Sequence, residues 1–121
     1  MTTDRELRAH LLDLGAHLEA ESDGPSASAT FVFGGLVFNL ISEYGDWRLN
    51  VGVLGRALYP ASFWLAALAG RSEFPDPPVT DEDFERVINN LPLLVKSASD
   101  LEASVEEFGK AYSAAMRERF E

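Results

Sequence analysis

Residues 29–51 read ATFVFGGLVFNLISEYGDWRLNV and decide the fold. β-branched and aromatic residues dominate this stretch, and such residues favour strands over helices. Gly34 and Gly35 divide it into two runs, and a Gly-Gly pair is typical of a two-residue β-hairpin because both central positions can take positive φ. The predicted cross-strand pairs are Phe33 with Leu36 and Phe31 with Phe38.

A second turn signal follows in YGDW, residues 44–47. With Gly45 and Asp46 as its central residues, the turn adds a third antiparallel strand. The predicted pairs are Leu40 with Val51 and Ser42 with Leu49. Because side chains alternate between faces with a period of two, both turns place one apolar set on the same face. This set is Phe31, Phe33, Leu36, Phe38, Leu40, Leu49, Val51 and Val53, while Val32, Val37 and Ile41 fall on the opposite face.

The N-terminal segment predicts a helix. Thr3 and Glu6 fit a capping box, in which each side chain accepts a free backbone N–H of the other residue. The helix is expected to continue past Gly15, which lowers its stability by about 1 kcal/mol relative to alanine, and to end in the turn-forming run 22–28. The apolar stripe of this predicted helix is Leu7, Leu11, Leu14 and Leu18.

Helical patterns return after the meander. Pro60 suits the first turn of a short helix that stops at Gly70. Thr80 is a candidate N-cap for the next helix, and Pro92 either kinks that helix or opens another. From residue 94 onward, mainly apolar residues recur at alternating steps of four and three, which predicts one continuous stripe along a long helix. The stripe is Leu94, Ala98, Leu101, Val105, Phe108, Tyr112, Ala115 and Arg119, with the apolar character fading at the end.

Two interpretations of this last stripe remain open. It packs across the sheet and closes the core, which is the favoured interpretation, or its C-terminal half pairs with a second copy in a homodimer. In either case the patterns predict an α+β fold in a single domain, residues 1–121. The domain would have an N-terminal helix, a three-stranded antiparallel β-meander, and two to three C-terminal helices packed on one sheet face.

Composition excludes several classes of function. The chain has 121 residues, with 20 Asp and Glu against 10 Lys and Arg, a net charge of -10, and no cysteine. The charge argues against binding to nucleic acid or to an anionic membrane surface, and the lack of cysteine excludes thiolate chemistry. The N-terminus lacks a basic region followed by an apolar run, so we expect a cytoplasmic protein without a secretory signal.

Catalytic templates are missing from the sequence. There is no GxSxG, no phosphate-binding P-loop and no HExxH. His10, Asp13 and His17 could offer metal ligands on one helix face, but His10 and His17 would lie about 10 Å apart along that helix. We therefore expect no metal, no cofactor and no enzymatic activity, and we keep a small metal-dependent or acid–base enzyme as a second alternative.

Two acidic segments are candidate contact surfaces for a basic protein partner. The turn EYGDWR, residues 43–48, combines carboxylates with aromatic side chains, which often anchor interfaces. The other is the acidic start of the helix after the prolines, where the helix dipole alone also explains the charge. Pairing with Tyr44 across the two strands is the favoured explanation of Trp47, whereas a role in binding is favoured for Tyr44. The candidate contact residues are Glu43, Tyr44, Asp46, Asp81, Glu82, Asp83 and Glu85.

The runs FVFGGLVFNLISEYGDWRLNV (31–51) and YPASFWLAAL (59–68) resemble small bacterial immunity proteins of polymorphic or contact-dependent toxin systems, and the resemblance covers roughly residues 31–69. Many of these have two strands joined by a short Tyr-Gly-Asp-Trp type of turn, followed by a helix that bears a tryptophan. The resemblance implies an acidic, cytoplasmic, non-enzymatic inhibitor that occludes the active site of a basic toxin domain. The alternative from another class is a homo-oligomeric structural or adaptor protein that uses the long C-terminal helix.

Overall fold

The computed structural model describes residues 4–22, 26–43, 46–70 and 81–120. The strands form one antiparallel sheet in chain order, with the helices against one of its faces. The elements are α1 (Asp4–Asp13), β1 (His17–Ser22), β2 (Ser26–Phe33), β3 (Leu36–Glu43), β4 (Asp46–Val53), β5 (Tyr59–Pro60), α2 (Ala61–Leu68) and α3 (Asp81–Phe120). The α+β class is confirmed. The prediction of three strands is wrong, because β1 and β5 extend the meander to five.

The β2–β3 hairpin has the predicted register. Phe31 pairs with Phe38 and Phe33 with Leu36, and Gly34 and Gly35 have φ of 58° and 80°. The predicted apolar set lies on the helix-covered face. Six of its eight residues are fully buried, and Phe33 and Val53 are half-buried against the core.

The β3–β4 pairing differs from the prediction by two residues. Leu40 pairs with Leu49 instead of Val51, and Ser42 pairs with Trp47 instead of Leu49. Because side chains alternate with a period of two, a shift of two residues leaves every side chain on its predicted face. The error in register therefore did not affect the prediction of the core.

Helix α1 is shorter than predicted because Gly15 ends it. Gly15 has a φ of 97°, its N–H donates to the Leu12 carbonyl, and the Ala16 N–H donates to the Leu11 carbonyl. These two bonds define a Schellman motif, which satisfies the last carbonyls of a helix. The expected continuation of the helix is wrong, and Leu14 and Leu18 are 44% and 41% exposed.

The chain after Gly15 forms β1 instead of a helix. All six residues of β1 are exposed, and its register with β2 shifts at a bulge between Leu18 and Ala20. Such a bulge in an edge strand hinders pairing with another chain. Glu21 of β1 forms an ion pair with Arg8 of α1, which ties this edge strand to the helical layer.

Helix α2 is fixed to the sheet by Trp64. Its indole N–H donates to the carbonyl of Val51 at 2.8 Å, and the side chain is 1% exposed. Phe63 packs edge-to-face on Phe108 and Tyr112, with ring centroids 6.1 and 6.0 Å apart. The predicted stop is also confirmed, since Gly70 has a φ of 74° and donates to the Ala67 carbonyl.

Helix α3 closes the core, which confirms the favoured interpretation of its stripe. The buried residues of the stripe are Leu94, Ala98, Val105 and Phe108, and Leu101 and Tyr112 pack against the core. Ala115 is exposed, so the stripe ceases to be covered beyond Tyr112. Pro92 lies inside the 40-residue helix and does not open a separate one.

Candidate functional site

The first candidate segment lies at the end of the β3–β4 hairpin. Glu43 and Asp46 are the last paired residues of the two strands, directly opposite each other. The two residues between the strands are therefore Tyr44 and Gly45, and not Gly45 and Asp46 as predicted. Tyr44 lies outside the described residues, as do the side chains of Glu43 and Asp46. Their roles in binding stay predictions.

Trp47 belongs to the core side of the sheet. It pairs with Ser42, so the predicted pair with Tyr44 is wrong. Its side chain is half-buried and packs against the core cluster, on the same face as the buried Leu49. Trp47 therefore contributes to the packing of the core. Its side chain is only partly accessible to a binding partner.

The second candidate segment is the first turn of α3. The helix begins at Asp81, where the positive end of the helix dipole favours carboxylates. Phe84 is 2% exposed and anchors this turn in the core, and the neighbouring Glu85 is exposed to solvent. The side chains of Asp81, Glu82 and Asp83 lie outside the described residues, so their part in a contact surface is also a prediction.

A described contact of α3 lies at the end of the sheet away from Glu43 and Asp46. The β2–β3 turn and the end of β3 lie at opposite ends of the sheet, about 25 Å apart along the strand. Helix α3 meets the turn end, where a Cβ on Gly34 would lie 2.5 Å from Val95 Cγ1. Glu85 precedes Val95 by ten residues, or about 15 Å of helix. The residues of the candidate site thus belong to two separate parts of the chain, the β3–β4 connection and the first turn of α3.

The described surface has more carboxylates than cations to pair with them. Three ion pairs are formed by described side chains: Arg8 with Glu21, Arg56 with Glu102, and Lys110 with Glu107. Exposed carboxylates that form no ion pair with a described residue are Asp13, Glu19, Glu85, Asp100 and Glu118. Such unmatched charge attracts cationic partners and repels anionic ones.

Six leucines among the described residues are at least 40% exposed. They are Leu12, Leu14, Leu18, Leu54, Leu58 and Leu93. Leu54 lies beside the β2–β3 turn, where its N–H donates to the Gly35 carbonyl, and Leu18 pairs with Phe31 near the same end of β2. Leu14 and Leu18 are exposed because Gly15 ends α1, so they do not continue the buried stripe of Leu7 and Leu11.

The three residues considered as metal ligands lie on different elements. His10 and Asp13 are on α1, and His17 is on β1 beyond the Schellman turn. The described residues contain no group of three or more His, Asp or Glu side chains arranged to hold a metal ion. The prediction that these three residues share one helical face is therefore wrong.

No helix within the described ranges combines the length and the apolar character needed to cross a bilayer. Comparison of the chain with family models, curated proteins and solved structures finds no match.

Proposed function

We propose that this protein is a cytoplasmic, non-enzymatic inhibitor of the immunity type, which binds a basic toxin domain and occludes its active site. The observation that carries the proposal is the net charge of -10 together with exposed carboxylates that the described cations leave unmatched. The resemblance of residues 31–69 to immunity proteins supports the same function.

The proposed contact surface has two parts. Glu43, Tyr44 and Asp46 form the first part at the β3–β4 end of the sheet, and the acids of residues 81–85 form the second at the start of α3. Carboxylates at the rim of an interface mainly raise the association rate and select the partner. Phe84 is buried at the start of α3, and binding sites built on helices are positioned more precisely than sites on loops.

Association with the partner is expected to depend steeply on salt. The probe is the C-terminal domain of the protein encoded directly upstream of this chain. Its association rate should fall about tenfold between about 50 and 500 mM salt, because the screening length for exposed charges decreases from about 14 Å to about 4 Å over that range. Stopped-flow fluorescence measures this rate, and a rate that does not change with salt contradicts the electrostatic mechanism.

Two variants with the same change in charge test which carboxylates raise the association rate. Replacing Asp81, Glu82 and Asp83 with serine should lower the association rate about tenfold at low salt. The control replaces Asp100, Glu107 and Glu118 with serine, which removes the same charge from exposed positions further along α3. The control should change the rate by less than about threefold, since only long-range steering is reduced. Equal effects of the two triple variants would contradict the proposed site.

A further inference from the structure

Strand β1 contributes no buried side chain to the core. All six of its residues, His17–Ser22, are exposed, whereas β2, β3 and β4 each place buried side chains against the helices. Leu18 pairs with the fully buried Phe31 and is nevertheless 41% exposed. Because burial of apolar surface is the main favourable contribution to folding, the packing of the described core gives no reason for a leucine at this position.

The C-terminal end of α1 lies beside Leu18. The ion pair between Arg8 and Glu21 holds α1 next to β1, and the chain reverses between them at Gly15. Leu12 is one helical turn after Arg8, about 6 Å nearer to this reversal. Leu18 is three residues before Glu21, up to about 10 Å nearer to the same reversal. Leu12 and Leu18 are therefore at similar levels on the two neighbouring elements.

We define the α1–β1 surface as Leu12, Asp13, Leu14, Leu18 and Glu19, all of which are exposed. Its three leucines are 51%, 44% and 41% exposed. Apolar side chains that are exposed singly need no explanation, whereas a group of them is typical of a binding site. Neither of the two carboxylates forms an ion pair with a described residue. The surface thus combines exposed apolar area with unmatched negative charge.

Asp13 occupies a position that disfavours a carboxylate. It is the last residue of α1, where the negative end of the helix dipole is destabilised by another negative charge. The stability of the chain alone therefore does not account for this aspartate. A cationic partner does, because it would compensate both the carboxylate and the helix end.

We propose that the α1–β1 surface binds the same basic toxin domain as the acids of residues 81–85, with the leucines at the centre of this contact and the carboxylates at its rim. The inference rests on the proposed function. An apolar centre with a charged rim is the usual composition of a specific protein interface, and the negative rim is complementary to a basic domain.

Two other occupants fit this surface less well. A second copy would bring Asp13 and Glu19 against their own counterparts, in addition to the repulsion between two chains of charge -10. An added strand would have to pair with β1, and the bulge between Leu18 and Ala20 hinders such pairing. We therefore expect a basic partner that contacts the side chains of the α1–β1 surface.

The α1–β1 surface lies on the same side of the molecule as the acidic start of α3. Strands β1 and β5 are the two edges of the sheet. The second half of α3 lies at the β5 edge, because Glu102 pairs with Arg56 and a Cβ on Gly109 would meet Tyr59. Helix α3 also contacts α1, so this contact belongs to its first half. That half begins with the acids of residues 81–85, and one basic domain can reach both.

The dissociation rate of the C-terminal domain encoded directly upstream tests the role of the leucines. Leu12→Ser combined with Leu18→Ser should raise this rate at least about tenfold at constant salt, because buried anchors mainly slow dissociation. The control is Leu54→Ser combined with Leu93→Ser, which removes two leucines that are 60% and 52% exposed elsewhere. The control should change the rate by less than about threefold. Surface plasmon resonance measures both variants beside the native chain.

Asp13→Lys separates a role in binding from a role in the fold. Removal of the unfavourable charge at the end of α1 should leave the urea midpoint unchanged or raise it. The association rate with the upstream-encoded domain should nevertheless fall at least about threefold. The control, Asp100→Lys, makes the same change of charge at an exposed position on α3 and should change the rate by less than about twofold.

Failure of this contact and failure of the proposed function give different results. If the native chain binds the domain while the two double-leucine variants dissociate at equal rates, the α1–β1 contact is overturned and the proposed function stands. Equal association rates of Asp13→Lys and Asp100→Lys would also overturn the contact. If the native chain does not bind the domain at all, both proposals are overturned.

Discussion

Replacing Trp64 with alanine is expected to lower the free energy of unfolding by about 3–5 kcal/mol. The side chain is 1% exposed and its indole N–H donates to the Val51 carbonyl. The substitution therefore leaves a large cavity between α2 and β4 and removes the partner of a buried carbonyl. Since small domains are stable by only about 5–15 kcal/mol, the variant should unfold at a much lower urea concentration.

Two further substitutions separate the contributions of Trp64. Trp64→Phe retains most of the packing and removes only the donor, so we expect a loss of about 1–3 kcal/mol. Trp47→Ala, at a half-buried position on the same sheet, should cost less than about 2 kcal/mol. Urea unfolding measures the free energy of unfolding of the three variants, provided that the m-value is unchanged. A loss below 1 kcal/mol for Trp64→Ala would contradict the packing of α2 on β4.

Replacing Gly34 with alanine is expected to lower the free energy of unfolding by about 2–4 kcal/mol, whereas Gly35→Ala should lower it by only about 1–2 kcal/mol. Both glycines have positive φ, which disfavours any other L-residue by about 1–2 kcal/mol. Only at Gly34 would the new Cβ meet another element, since it would lie 2.5 Å from Val95 Cγ1, while nothing lies within 4 Å of the corresponding atom on Gly35. The difference between the two losses of unfolding free energy therefore measures the effect of the close approach of α3 to the turn.

A double-mutant cycle tests whether the clash with Val95 causes the larger loss of stability in Gly34→Ala. Val95→Ala removes the clashing methyl group, so Gly34→Ala should cost about 1–2 kcal/mol less in that background. Thermal and urea unfolding of the four proteins provide the cycle. Equal losses for Gly34→Ala and Gly35→Ala would mean that α3 does not cover the β2–β3 turn.

The central hairpin could be predicted because several signals agreed there. Gly34 and Gly35 fix the turn, and alternation then assigns every residue of β2 and β3 to a face. The register of β4 was less certain, because Tyr44–Gly45 and Gly45–Asp46 are both acceptable two-residue turns. Moving the turn by one residue changes the partner of each β3 residue by two positions on β4. That ambiguity has no effect on which side chains are buried.

The edge strands could not be predicted from the pattern of apolar residues. All of β1 is exposed, so it lacks the alternation that indicates a strand. Leu14 and Leu18 instead continued the helical spacing of Leu7 and Leu11 across Gly15, and this coincidence hid the Schellman turn. Strand β5 has only two residues, which is too short for any periodic signal.

The candidate site was even less predictable than the edges of the sheet. The carboxylates of a contact surface follow no period, and a helix start attracts acids whether or not a partner binds there. Sequence identified Glu85 as part of an acidic helix start, and the structure shows it exposed. Sequence alone did not reveal that α3 meets the opposite end of the sheet from Glu43, because that arrangement depends on the packing of Val95 over Gly34.

Protection of growing cells tests the proposed function most directly. The C-terminal domain encoded directly upstream is expressed alone, with this chain, or with a variant that carries Glu43→Lys and Asp46→Lys. The proposal predicts arrested growth with the domain alone, restored growth with the native chain, and partial or no protection from the folded variant, whose lysines repel a basic partner. Growth that stays arrested while both native proteins are soluble and abundant would contradict the proposal.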